Sequence, residues 1–149
     1  AVHGRADLAP TFAPSTIDET SRVSVGDLDL RFSRTDHPVE TLAVRVEHET
    51  GSIVYSADTG DDWELASLGP DIGKAIDVAV VEATLAQATP GVAHLTGAQA
   101  GAQAARAGVA RLVLTHVQPG HDPADRAAAA AHHFHGPIEV ATIGATFDV

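Results

Sequence analysis

Three short segments of this 149-residue chain end an apolar stretch on a side chain able to hold a metal: Thr35-Asp36-His37-Pro38, Tyr55-Ser56-Ala57-Asp58-Thr59-Gly60 and Leu114-Thr115-His116. Imidazole and carboxylate are donors that zinc accepts, and one carboxylate can bridge two cations about 3.5–4 Å apart. Each segment also has an ordinary reading. His37 ahead of Pro38 fits a turn, Asp58 fits a side chain bonded to its own turn backbone, and His116 fits a satisfied strand-end histidine. His94, in His94-Leu95-Thr96-Gly97, stands where a helix begins; it reads as a proton donor or as an exposed loop histidine. Glu82 closes an apolar run, and either orients a neighbouring group or simply ends a strand. The His132-His133-Phe134-His135 cluster is metal-like in composition only. Histidines suit a helix C-terminus, and none here has a carboxylate at ligand spacing.

These residues need elements to bring them together. Residues 1–22 carry Pro10 and Pro14 and little periodicity, so a short strand at the start (Ala1-Val2-His3-Gly4) followed by loop is expected. Val23 and Val25, then Leu28, Leu30 and Phe32, alternate with polar residues about Gly26-Asp27, which predicts a hairpin. Leu42, Val44 and Val46 repeat the alternation and turn through Glu49–Ser52 into Ile53-Val54-Tyr55, so 23–57 reads as an antiparallel meander. Asp61–Leu68 reads as a short helix, and Ile76–Ala83 as a strand covered on both faces. Thr96 and Gln99 form a capping box for a helix over 97–107 that stops at Gly108. Leu112–Leu114 is a further buried strand. Asp122-Pro123 starts a helix running to about His133, and Ile138–Ile143 is the last strand. A meander followed by alternating strands and helices predicts a mixed sheet with covering helices, an α/β (α+β) fold. Ligands then gather at strand ends, where loops converge on one edge.

Composition removes several functional classes. Twenty acidic residues against nine basic ones give a formal charge of −11 and leave one lysine, Lys74, which argues against a nucleic-acid backbone binder. The absence of cysteine excludes disulfides, thiolate zinc sites and cysteine nucleophiles. No apolar run approaches the roughly 18 residues of a membrane span, and no secretory leader pattern is visible, so the expected location is the cytoplasm. With no methionine in the sequence, Ala1 is not expected to be a translation start, and a processed chain or a fragment is expected.

The ordered motifs YSADTG, VVEAT, HLTGAQAGAQAARAG and RLVLTH, after the Val44–Val46 strand, resemble the C-terminal half of metallo-β-lactamase-fold hydrolases. The branch they are most similar to is the ribonuclease Z-like and cyclic-nucleotide-phosphodiesterase-like one. The resemblance runs from about residue 23 to the end, and the set is specific where any single motif is not. It implies half of an αββα sandwich, with residues 1–149 as the C-terminal part of one domain. It implies two divalent metal ions, zinc with manganese as the alternative: His37 on the first, Asp58 bridging, His116 on the second. It implies His94 as the catalytic proton donor to the leaving oxygen, with Glu82 at a buried acidic position nearby.

The departures shape the functional expectation. The leading His-x-His-x-Asp-His motif of this family occurs nowhere in the sequence, so the expected site is incomplete, because a catalytic zinc normally holds three protein ligands of its own. The chain alone is expected to be inactive and to associate with another copy or with the missing N-terminal half. Ala57 stands where the family usually has glycine, and Gln118-Pro119-Gly120 replaces an apolar continuation. Transfer-RNA-processing relatives carry an arm between the positions of His37 and Asp58, but only twenty residues separate them here. With the acidic charge, this favours a small phosphodiester attacked by a dinuclear metal-activated hydroxide, with RNA disfavoured as a partner. The competing expectation is a non-catalytic half-fold or pseudoenzyme that acts as a binding or oligomerisation module.

Overall fold

The computed structural model describes residues 12–69 and 75–149; the strand expected at Ala1–Gly4 lies outside them. Seven strands form one sheet in sequential order: β1 (Arg22–Val25), β2 (Leu28–Arg34), β3 (Leu42–Glu47), β4 (Ser52–Tyr55), β5 (Val78–Glu82), β6 (Arg111–Thr115) and β7 (Ile138–Val140). β1 to β4 pair antiparallel, as the alternation over 23–57 requires, and β4 to β7 pair parallel. Parallel neighbours need crossovers. Helix α1 (Gly97–Ala107) joins β5 to β6, and α2 (Pro123–Ala131) joins β6 to β7.

The period of two sorts the side chains by face. Ala43, Val54, Ala79, Val81, Leu112 and Leu114 lie on one face and are fully buried with Ala100 and Ala104 of α1 and Ala130 of α2. The two helices pack tightly through glycine: a Cβ at Gly97 would strike the Arg126 carbonyl, and one at Gly101 the Ala130 carbonyl. On the opposite face Leu30, Phe32, Val44, Val46, Ile53 and Val80 are only half-buried.

The helix starts match their sequence signals. Thr96 accepts from Gln99 N while the Gln99 side chain accepts from Thr96 N, and Gly108 ends α1 at φ 65°. Asp122 caps α2, with Pro123 in its first turn. Several boundaries differ from expectation; β5 covers Val78–Glu82 within the expected Ile76–Ala83. Asp61–Leu68 is helical only as a 3-10 turn at Leu65–Leu68, because the buried Gln103 amide donates to Trp63 O (2.7 Å) and accepts from Leu65 N (3.0 Å), taking backbone groups a helix would have used. Helix α2 stops at Ala131, two residues early: His133 N and Phe134 N both turn back to Ala130 O, which carries the Phe134 ring into the core. β7 ends at Val140, opposite Leu114, and Ala141 N makes the last ladder bond, to Leu114 O. The chain then turns about Gly144, and Ile143 is fully exposed.

Strand direction explains the site. β4, β5 and β6 point the same way, so their C-terminal ends share a rim. β2 lies two antiparallel steps from β4 and therefore runs in the same sense. Its C-terminal end delivers Asp36 and His37 to that rim.

Candidate metal centre

The loop after β4 is shaped by backbone geometry before its side chains matter. Ser56 N continues the parallel ladder to Val80 O, and then Ala57 adopts φ 53°, in the left-handed region that an L-residue enters at a cost. That turn lifts Asp58 over the rim. The β2 extension clamps the loop: Thr35 Oγ1 donates to Asp58 O (2.8 Å), and Gly60 N donates to Asp36 O (2.7 Å). A side chain at Gly60 would meet the Asp36 carboxylate, so any larger residue there would have to displace that side chain.

Glu82, at the end of β5 and 1% exposed, organises what surrounds it. Its Oε1 accepts from Thr59 N (2.7 Å), and its Oε2 accepts from Thr84 N (3.3 Å) and Leu95 N (3.2 Å). His94 Nδ1 lies 2.7 Å from Oε1. A carboxylate engaged by three backbone N–H groups acts as an acceptor toward the ring too, so Nδ1 carries the hydrogen and Nε2 is left with its lone pair. The same carboxylate thus fixes the Asp58–Thr59 loop and the imidazole facing it.

His37 and His116 flank that ring. Ring centroids are 5.6 Å apart for His37 and His94, and 5.5 Å for His94 and His116, both edge-on. His37 Nδ1 is 3.2 Å from Val39 O, which can only accept, so its Nε2 is the free donor atom. His116 has φ 57°, a conformation unusual for a non-glycine residue, of the kind that collects at functional sites. Its Nδ1 shares a hydrogen bond with Thr84 Oγ1 (2.9 Å) and lies 3.2 Å from Asp58 Oδ1.

Two overlapping groups of donor atoms, each mutually within 4.8 Å, result: His37, Asp58 and His94, and Glu82, His94 and His116. Their chemistry suits a divalent cation, since His37 offers Nε2 and Asp58 keeps a partly exposed carboxylate between the flanking imidazoles. Glu82 is less available, because both its oxygens are already engaged. The four side chains singled out in the sequence, His37, Asp58, His94 and His116, therefore converge on one rim. His132, His133 and His135 are exposed beyond α2 and join no such group among the described residues. Thr84, whose hydroxyl reaches the His116 ring, went unnoticed in the sequence; its place two residues after Glu82 was the available signal. Tyr55, exposed beside the rim, has its phenol pushed above the usual value by partial burial and then by the charges of Asp58 and Glu82.

A family model described as a beta-lactamase superfamily domain matches residues 3–117. An uncharacterized protein of Mycobacterium leprae is 35% identical over 130 residues, covering 85% of this chain and 44% of its own length. A ribonuclease Z of Mycolicibacterium gilvum is 35% identical over 126 residues, covering 76% of this chain and 44% of its own length. The chain spans about half the length of the curated relatives it matches. Among solved structures, the metallo-beta-lactamase fold protein YhfI from Bacillus subtilis superposes with a TM-score of 0.78 at 22% identity, over 89% of this chain and 54% of that one. A diphosphatase from the PhnP family gives 0.60 at 15% identity, over 85% and 45%. At these identities the superpositions establish the fold.

Proposed function

Because the chain belongs to the beta-lactamase superfamily domain family, we propose that it forms part of a metal-dependent hydrolase that cleaves a small phosphodiester, a cyclic nucleotide being the model substrate. The observation that carries this reading is the Glu82–His94 pair standing between His37 and His116, next to Asp58. His37, Asp58 and His116 would hold the metal, with Asp58 shared between two ions and zinc or manganese as the occupant. When bound, such a pair supplies Lewis acidity toward phosphoryl oxygens and an activated water.

The remaining work falls to this chain's own groups. Glu82 holds the hydrogen on His94 Nδ1 and so fixes the ring's orientation. With a proton taken up from water at Nε2, beside the donor set, His94 would pass that proton to the departing alkoxide and return to the Nδ1–H form that Glu82 holds. Thr84 steadies the His116 ring, and Thr35 with Asp36 steadies the loop that carries Asp58.

Three observations support a small substrate over RNA. The interval from His37 to Asp58 is spent on β3 and β4 inside the sheet, which leaves no length for a protruding arm. The formal charge of −11 opposes a polyanion. The rim residues Asp36, Asp61 and Asp62 add negative charge beside His94, around a cavity of about 320 Å³. The lack of a His-x-His-x-Asp-His run and the half-length match to relatives support a site completed by ligands from outside these residues. No helix among the described residues is long and apolar enough to cross a membrane.

The test is turnover of 3′,5′-cyclic AMP, bis(p-nitrophenyl) phosphate and a precursor transfer RNA by the complete protein, with zinc or manganese added. Cleavage of the small diesters that His94→Ala loses is the expected result. Cleavage of the RNA alone would replace the substrate class, and no cleavage of any of them would overturn the hydrolase reading.

A further inference from the structure

Arg126 is a cation sealed inside the protein behind the metal centre. It lies on α2 and is 5% exposed, yet among the described residues no carboxylate pairs with it. Its Nε donates to Ala83 O (3.2 Å), and its Nη2 is buried without a hydrogen-bond partner among the described residues. Burying a guanidinium is expensive, and leaving one of its nitrogens unmatched adds to the cost. Ala130, one turn later on the same helix, shows that this face packs well with a small apolar side chain. A device this costly for packing calls for another use.

The use follows from what Ala83 joins. Its carbonyl takes the Arg126 hydrogen bond, and its N–H donates to Thr115 O (2.9 Å), so the two peptide groups flanking this one residue are both pinned. The residue before it is Glu82, which holds His94; the residue after it is Thr84, which holds His116. Thr115 itself precedes His116. The site's two imidazole supports thus hang from a single residue whose orientation α2 secures. Gly97 makes the reach possible, because any side chain there would push the Arg126 backbone away from α1.

The geometry points to Arg126 as a positioning residue: from outside the metal centre it sets the Glu82–Thr84 strand end, and through it the orientation of His94 and His116. This rests on the hydrolase reading for its catalytic consequence, but the orientation itself can be measured without metal or substrate. In the metal-free complete protein, long-range proton–nitrogen correlation spectra should show His94 as one tautomer, with hydrogen on Nδ1. Arg126→Met, which fills the space without a donor, should give averaged tautomers for His94 and altered His116 nitrogen shifts. His132 and His133 should be unchanged, and Arg126→Lys should restore the native pattern. On a phosphodiester substrate the Met variant should lose about 10–100-fold in kcat with KM nearly constant, the scale for groups that orient metal-site residues. If Arg126→Met fails to fold, Arg126→Leu is read instead, since it too lacks a donor for Ala83 O. Native His94 and His116 spectra in a folded Met or Leu variant would overturn the proposal. Disturbed spectra in a protein whose wild type cleaves no phosphodiester would keep Arg126 as the positioning residue and remove the hydrolase reading.

Discussion

His94 reaches Glu82 across a 2.7 Å hydrogen bond, although the two stand twelve residues apart and only Glu82 belongs to a strand. The contact joins the end of β5 to the lead-in of α1, and Glu82 adds backbone bonds to Thr59, Thr84 and Leu95. Glu82→Gln retains one acceptor oxygen and sets an amide NH₂ against two backbone donors. Leaving such buried groups unmatched should lower stability by about 1–3 kcal/mol, read as a shift in the urea midpoint. Turnover should fall mainly through kcat.

Asp58 and His94 occupy the same donor group but should separate on substitution. Asp58→Ala in the complete protein should remove both bound metal and turnover, measured as metal per chain and as rate. His94→Ala should keep its metal and lose roughly 10²–10⁴-fold in kcat, the range for a positioned proton donor. Loss of metal from His94→Ala would make that ring a ligand instead.

Ala57 holds φ 53° where glycine would bear no steric cost. Ala57→Gly should therefore stabilise the fold by about 0.5–1 kcal/mol, the left-handed strain relieved less the chain entropy glycine adds. Equilibrium urea unfolding is the measurement; a destabilised variant would show that the strain is not released.

Tyr55 is the single tyrosine of the chain, so absorbance near 295 nm reports it alone. Burial, then Asp58 and Glu82, raise its pKa above the usual 10.0. A raised phenol pKa favours the protonated folded state. The stability it contributes is complete below pH 10 and is lost as pH climbs through the folded value. Asp58→Asn removes one of the charges, so its phenol should ionise at lower pH than in the wild type.

Much of this architecture was legible because the signals are local. Alternation over 23–57 needs only neighbouring residues to show a strand, and Thr96 with Gln99, or Asp122 with Pro123, encode a helix start within four positions. The four rim residues were legible by type and order, and Ala57 was visible as the residue in glycine's usual place. What escaped depends on distant partners. Gln103 replaces the helix expected at Asp61 by bonding across about forty residues, and no local pattern marks that amide. Arg126 is equally silent, since an arginine near a helix start reads as a surface residue until Ala83 is placed behind it.

The shared direction of β2, β4, β5 and β6 makes the centre a gauge of strand alignment. A slip of one residue in any pairing would turn that strand's side chains through the sheet, and its contribution to the rim would vanish even if the chain stayed compact. Cation uptake would then score correct threading of the whole sheet, and an aligned but unliganded protein would be separable from a slipped one by that single titration.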